Sequence, residues 1–230
     1  MIQGKRVLVV GGTSGIGAAV ARMAGAAGAQ VTTASRRAEA LTATPVARHL
    51  RLDISDEAQV RACLSGEQAF DHVIVSAGGA KPGKFREQAS EAGTRAFETK
   101  FWGAWRVAAL APLSPDASIT FVSGVFAERP AAGQVAASCA NAALEALARA
   151  LAVELGPIRV NAVSPGLVDT PMWHGMPAEK RAAYFASVAE KLPARRICSD
   201  EDVAALVLAC MANPALTGAV LKIDGGYTLV

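Results

Sequence analysis

The stretch Val7-Leu8-Val9-Val10-Gly11-Gly12-Thr13-Ser14-Gly15-Ile16-Gly17 constrains this chain more than any other. An apolar β-branched run stops at two glycines, and a helix-compatible segment, 15–28, follows at once. The spacing fits a strand–turn–helix unit. In such a unit Gly11 allows the tight turn, Gly15 lets backbone approach a pyrophosphate, and Gly17 lets the helix pack closely on its strand. The start of that helix offers unpaired N–H groups and the positive end of its dipole to phosphate. Gly11, Thr13, Ser14, Gly15 and Ile16 are therefore the residues expected to line a phosphate-binding turn.

Downstream, short β-branched runs fall at 6–10, 30–33, 48–52, 72–76, 118–123, 158–163 and 219–223. Several are apolar at consecutive positions, as in strands covered on both faces. Helix-compatible segments lie between them, at 56–64, 92–110, 134–155, 178–192 and 200–211. Regular alternation of this kind predicts an α/β fold: a doubly wound, mainly parallel seven-stranded sheet with helices on both faces. No repeat or linker divides the chain, so 1–230 reads as a single domain. Ser199-Asp200-Glu201-Asp202 and Ser55-Asp56-Glu57 are helix starts, and Pro193 is a helix stop.

Composition narrows the function. The 23 basic and 20 acidic residues leave a net charge of +3, without the clustered cationic stripe of a nucleic-acid binder. Cys63, Cys139, Cys198 and Cys210 are scattered, which implies neither a metal site nor a disulfide framework. No secretory signal opens the chain. The most lipid-like segment, 135–155, carries Asn141, Glu145, Arg149 and Glu154, and reads as a buried helix with no membrane role. A cytoplasmic protein is expected.

The second strand leads into Ser35-Arg36-Arg37, where folds of this type often place an acid that binds a ribose 2′-hydroxyl. A hydroxyl and two guanidiniums suit a 2′-phosphate instead, which points to NADP(H) over NAD(H).

From Lys5 onward the chain resembles the short-chain dehydrogenase/reductases, a Rossmann-type family. Beside the glycine turn stand Leu52-Asp53-Ile54, where the family's acid contacts the adenine amino group, and Ser76-Ala77-Gly78 in place of Asn-Asn-Ala-Gly. Further on come Arg159-Val160-Asn161-Ala162-Val163-Ser164-Pro165-Gly166, then Val168-Asp169-Thr170, and Asp224-Gly225-Gly226 near the end. The resemblance implies that Asp53 and Ile54 serve the adenine and that Ser76, Ala77 and Gly78 line the cleft. It implies that Pro165, Gly166, Val168 and Thr170 hold the nicotinamide carboxamide, and that 171–193 forms a substrate lid. It also implies a small-molecule substrate and self-association as a dimer or tetramer through 92–110 and 134–155.

The resemblance breaks at the chemistry. The family pattern Tyr-Ser-Ala-Ser-Lys-Ala-Ala-Leu-Glu lines up with 137–145, so Ala137 stands at the tyrosine position and Asn141 at the lysine position. The family's serine falls on Gly124, one residue past Ser123, and its asparagine on Lys100. Lys100, Ser123 and Asn141 are thus the catalytic candidates. Two explanations stay open: an oxidoreductase of carbonyl, alcohol or enone substrates with a non-standard site, or a catalytically silent NADP(H)-binding sensor.

Overall fold

A computed structural model describes residues 2–36 and 46–230. The strands are β1 (Arg6–Val10), β2 (Gln30–Ser35), β3 (Val46–Arg51), β4 (Phe70–Val75), β5 (Leu113–Val122), β6 (Arg159–Pro165) and β7 (Val220–Ile223). They form one sheet in the order β3-β2-β1-β4-β5-β6-β7, and every pairing is parallel. The expected mainly parallel sheet is wholly parallel.

Alternate residues of each strand feed two cores, which is why the runs are apolar at successive positions. Leu8, Val10, Val73, Val75 and Phe121 face one side, with Val107 and Leu144 from its helices. Val7, Val9, Ile74 and Val163 face the other, with Val20, Val203 and Val207.

The helices are α1 (Gly15–Ala26), α2 (Glu57–Leu64), α3 (Ser90–Phe97), α4 (Gly103–Leu110), α5 (Val135–Glu154), α6 (Ala178–Ala189) and α7 (Asp200–Ala212). Asp56 caps α2 by accepting from the Gln59 amide at 3.1 Å. Ser199 and Asp202 form a reciprocal capping box on α7.

Three expectations need correction. The single helix read over 92–110 is α3 and α4 joined by a π-helical turn, Glu98–Trp102. Hydrophobic spacing does not reveal one extra residue in a turn, and such turns cluster at functional sites. Next, β5 begins at Leu113, ahead of the expected 118, because the segment with Pro115 pairs Leu113 with Phe70 before a register shift. Proline is tolerated at such an irregularity. Finally, α5 is buried on one face only. Ala140, Leu144 and Leu147 point inward, while Val153 is 87% exposed. By length and composition alone α5 is the one helix among the described residues that could cross a membrane. In the fold it is the crossover between β5 and β6.

Candidate functional site

The sheet order reverses beside β1, with β2 on one side and β4 on the other. In open α/β sheets, ligands bind in the crevice that this reversal opens at the carboxyl ends of the strands. The glycine turn and the loops singled out in the sequence for the cofactor follow β1, β2, β3, β4 and β6 at that end. Arg37 lies outside the described residues.

The glycine turn is shaped by close backbone approach. Gly11 has φ +86, and a Cβ there would stand 2.8 Å from the Ala77 amide nitrogen. A Cβ on Gly17 would stand 2.3 Å from the Gly11 carbonyl oxygen, so α1 can sit this near β1 only without one. Ser14 precedes α1 in extended conformation and makes no side-chain cap, and the first turn holds no acid. The leading N–H groups of α1 are thus left for an acceptor from outside the helix. Thr13 and Ile16 are half-buried beside them.

Thr170 closes over this turn, its side chain 3.3 Å from where a Cβ on Gly15 would be. The segment leading to it is fixed from below. Pro165 ends β6, Gly166 donates to the Ile223 carbonyl at 3.0 Å, and Val168 bridges to Cys198. Arg159 and Asn161, read in the sequence as part of this motif, do a structural job. Arg159 donates to the carbonyls of Cys210, Met211 and Leu216, and the Asn161 amide also reaches Leu216, which pins the last turn of α7 and the segment after it to β6.

Next to Gly78, whose neighbour Ala77 packs on Gly11, lies a cavity of about 520 Å³. Arg36, Asp53, Ile54 and Gly78 line it from the sheet side, Arg95 and Thr99 from the helices. The Ser35 carbonyl accepts from Leu52 at 2.8 Å and holds the β2 and β3 ends together. Burial works against charge on Asp53. Hydrogen bonds from the Ser55 hydroxyl at 2.7 Å and amide at 3.0 Å, with the nearby Arg36 guanidinium, outweigh it and hold the carboxyl below its usual range. The Ser76 amide donates to the Val10 carbonyl at 2.9 Å, and Ala77 and Gly78 carry the chain out along the cavity wall.

The catalytic candidates meet at the end of β5. The Lys100 amine donates to the Ser123 carbonyl at 3.1 Å. Burial drives that amine from its ordinary value down to about 8, with Glu145 pulling it partly back up. The Ser123 hydroxyl is held by Glu145 Oε1 at 2.8 Å and the Val163 carbonyl at 3.3 Å. Gly124 faces Asn141 instead, for a Cβ there would stand 2.9 Å from Asn141 Nδ2. Asn141 is 4% exposed, and its Oδ1 has no hydrogen-bond partner. An acceptor so deeply buried is costly to leave unpaired, and a bound hydroxyl would relieve it.

Sequence reasoning missed Glu145 as a site residue. Its signal was available: it stands four residues after Asn141, one helical turn along the same face.

The tyrosines lie elsewhere. Tyr184 packs on Trp173 and Phe185, with centroids 5.6 and 6.0 Å away, and Tyr227 lies under Arg129 at 5.0 Å. His174 is exposed. Trp102 and Trp105 are nearly half exposed, which rules out a core role.

The family profile described as enoyl-(acyl carrier protein) reductase matches residues 10–228. A short-chain dehydrogenase/reductase of Stachybotrys chlorohalonatus is 32% identical over 250 residues, 99% of this chain and 98% of its own. The cis-4-hydroxycyclohexanecarboxylate dehydrogenase of Sinomonas cyclohexanicum is 35% identical over 250 residues, 98% of each chain. Among solved structures, a small-chain dehydrogenase in complex with NADPH superposes with a TM-score of 0.89 at 38% identity, over 98% of this chain and 99% of that one.

Proposed function

Because the chain belongs to the short-chain dehydrogenase/reductase family, we propose that it is an NADP(H)-dependent oxidoreductase acting on a small carbonyl, alcohol or enone. The observation that carries this reading is the shape of the crevice. Backbone at Gly11 and Gly17 approaches so closely that no Cβ fits, the start of α1 is uncapped, and a cavity walled by Arg36, Asp53 and Gly78 lies at the carboxyl ends of β2, β3 and β4.

These residues fit a dinucleotide. Gly11, Thr13, Ser14, Gly15 and Ile16 would hold the pyrophosphate, Asp53 and Ile54 the adenine, and Arg36 a 2′-phosphate. Pro165, Gly166, Val168 and Thr170 would hold the carboxamide end. The unpartnered Asn141 Oδ1 would accept from a ribose hydroxyl. When bound, the nicotinamide supplies or takes up hydride. What remains for the chain is to bind, to orient and to move one proton. Ala137 has none to give, so Lys100, with its amine at the β5 end, is the group we assign to a substrate oxygen.

The same substitutions support a second reading, a silent NADP(H) binder, because Ala137 and Gly124 bring no functional group to the cleft. For either reading the protein is taken as cytoplasmic and self-associating. The half-exposed Trp102 and Trp105 and the exposed Val153 support self-association.

Fluorescence titration with NADPH and NADH tests the cofactor assignment. NADPH should bind more tightly, and Arg36→Ala should weaken it about 10- to 100-fold while sparing NADH, the usual range for one charge-assisted phosphate contact. Equal binding of both nucleotides by the parent protein would overturn the 2′-phosphate assignment. Nicotinamide absorbance with a panel of carbonyls and enones then separates enzyme from silent binder.

A further inference from the structure

Behind the β5 end three side chains form a unit that the nucleotide cradle does not use. Ser123 is the joint. Its main-chain carbonyl takes the Lys100 amine at 3.1 Å, and its hydroxyl donates to Glu145 at 2.8 Å. The π-helical turn Glu98–Trp102 presents the lysine, and the backbone at Lys100 lies 2.9 Å from where a Cβ on Gly78 would be. Glu145 comes from α5. One serine, 5% exposed, thus ties a buried cation to a carboxylate.

We propose that Glu145 is a positioning residue which, acting through Ser123, keeps Lys100 an ammonium aimed at the β5 end, so that the lysine donates the proton that no tyrosine supplies here. The proposal rests on the oxidoreductase reading for its purpose, though not for its test.

Charge and geometry support it together. An ammonium has three donors, and among the described residues Ser123 occupies one of them, which leaves N–H groups for a ligand oxygen. A cation taken out of water reverts to its neutral form unless a negative charge stands near, and Glu145 is the charged group that acts on Lys100. Glu145 itself also faces Lys222 from β7, whose amine is bound to Glu128 at 2.8 Å. In a reduction, a bound reduced nicotinamide would supply hydride to the carbonyl carbon, and the C=O π pair would move onto oxygen. A Lys100 N–H bond breaks as the new O–H bond forms. The amine is left neutral beside an uncompensated Glu145, and that charge draws a proton back from water.

The test is an NMR titration of isotope-labelled lysine side chains in the full-length protein, with the Lys100 signal assigned by its loss in Lys100→Arg. The parent amine should titrate near 8. In Glu145→Gln, which keeps the shape and the acceptor for Ser123, the midpoint should drop by about one pH unit, the usual effect of removing a close opposite charge. Near pH 7.5 the charged fraction then falls about threefold. Glu145→Asp should restore most of it. Ser123→Ala, which leaves the main-chain carbonyl in place, should move the midpoint in the same downward direction. A Lys100 midpoint unmoved in both Glu145→Gln and Ser123→Ala overturns the proposal whether or not NADPH binds. Failure of NADPH to bind overturns the oxidoreductase reading and leaves the titration result standing.

Discussion

His72 gives the fold a built-in acid sensitivity whose size follows from its surroundings. It sits in β4, 6% exposed, with Nδ1 2.8 Å from the Ser118 hydroxyl. Burial drives its imidazole from 6.5 down to about 4, with Arg159 and Lys5 pushing the same way and Asp71 opposing. The unfolded chain therefore takes up this proton near 6.5, whereas the folded chain refuses it until about 4. Between those values the unfolded state binds more protons, so stability declines as pH falls. Applying linkage to these two values, the loss from about pH 7.5 to about pH 5 is roughly 2 kcal/mol, rising to about 3 kcal/mol below pH 4. Urea unfolding at the two pH values, for the parent and for His72→Gln, measures it. Glutamine can still meet Ser118 but does not titrate, so the parent should lose about 2 kcal/mol more than the variant. The carboxylates held low by their partners, Asp53, Asp71 and Asp224, titrate at still lower pH and are common to both proteins. Equal losses in the two proteins would refute the assignment of this window to His72.

The close packing of the glycine turn predicts that Gly17→Ala, whose Cβ would meet the Gly11 carbonyl at 2.3 Å, loses both stability and NADPH binding. Overpacking against backbone costs about 1–3 kcal/mol, and a thermal melt and a nucleotide titration on one preparation read both losses. By contrast, a Cβ on Gly93 in α3 would meet nothing within 4 Å, so Gly93→Ala should leave NADPH binding unchanged and raise stability by about 0.5–1 kcal/mol. Ser199→Ala removes half of the α7 capping box, and the melting temperature should drop by about 2–4 °C, the effect of about 1 kcal/mol in a chain of this size.

The sheet was legible because burial on both faces writes itself as consecutive β-branched residues, and the glycine turn because only one residue type survives that approach. What escaped reading depended on direction. Ser123 and Gly124 are neighbours at a strand end and both meet α5, Ser123 at Glu145 and Gly124 at Asn141. Chain position alone left either in the place of a cleft serine, whereas the contacts put Gly124 against Asn141 and the Ser123 hydroxyl on Glu145. Glu145 was noticed in the sequence only as a charge too costly for a lipid span. Its partners come from β5 and from the turn between α3 and α4, contacts that no local pattern encodes. The π-helical turn was invisible for a related reason. It leaves the hydrophobic spacing of its helix nearly intact while shifting which face carries Lys100.

The contact of Thr170 with Gly15, and of Gly166 with the Asp224 backbone, ties the glycine turn to a second turn far along the sequence. The Asp224 side chain folds its own turn by accepting from Gly226 at 2.8 Å and Thr228 at 3.0 Å, which fixes the backbone that Gly166 meets. The crevice is therefore assembled by contacts between residues far apart in sequence, which form only once the entropy of closing long loops has been met.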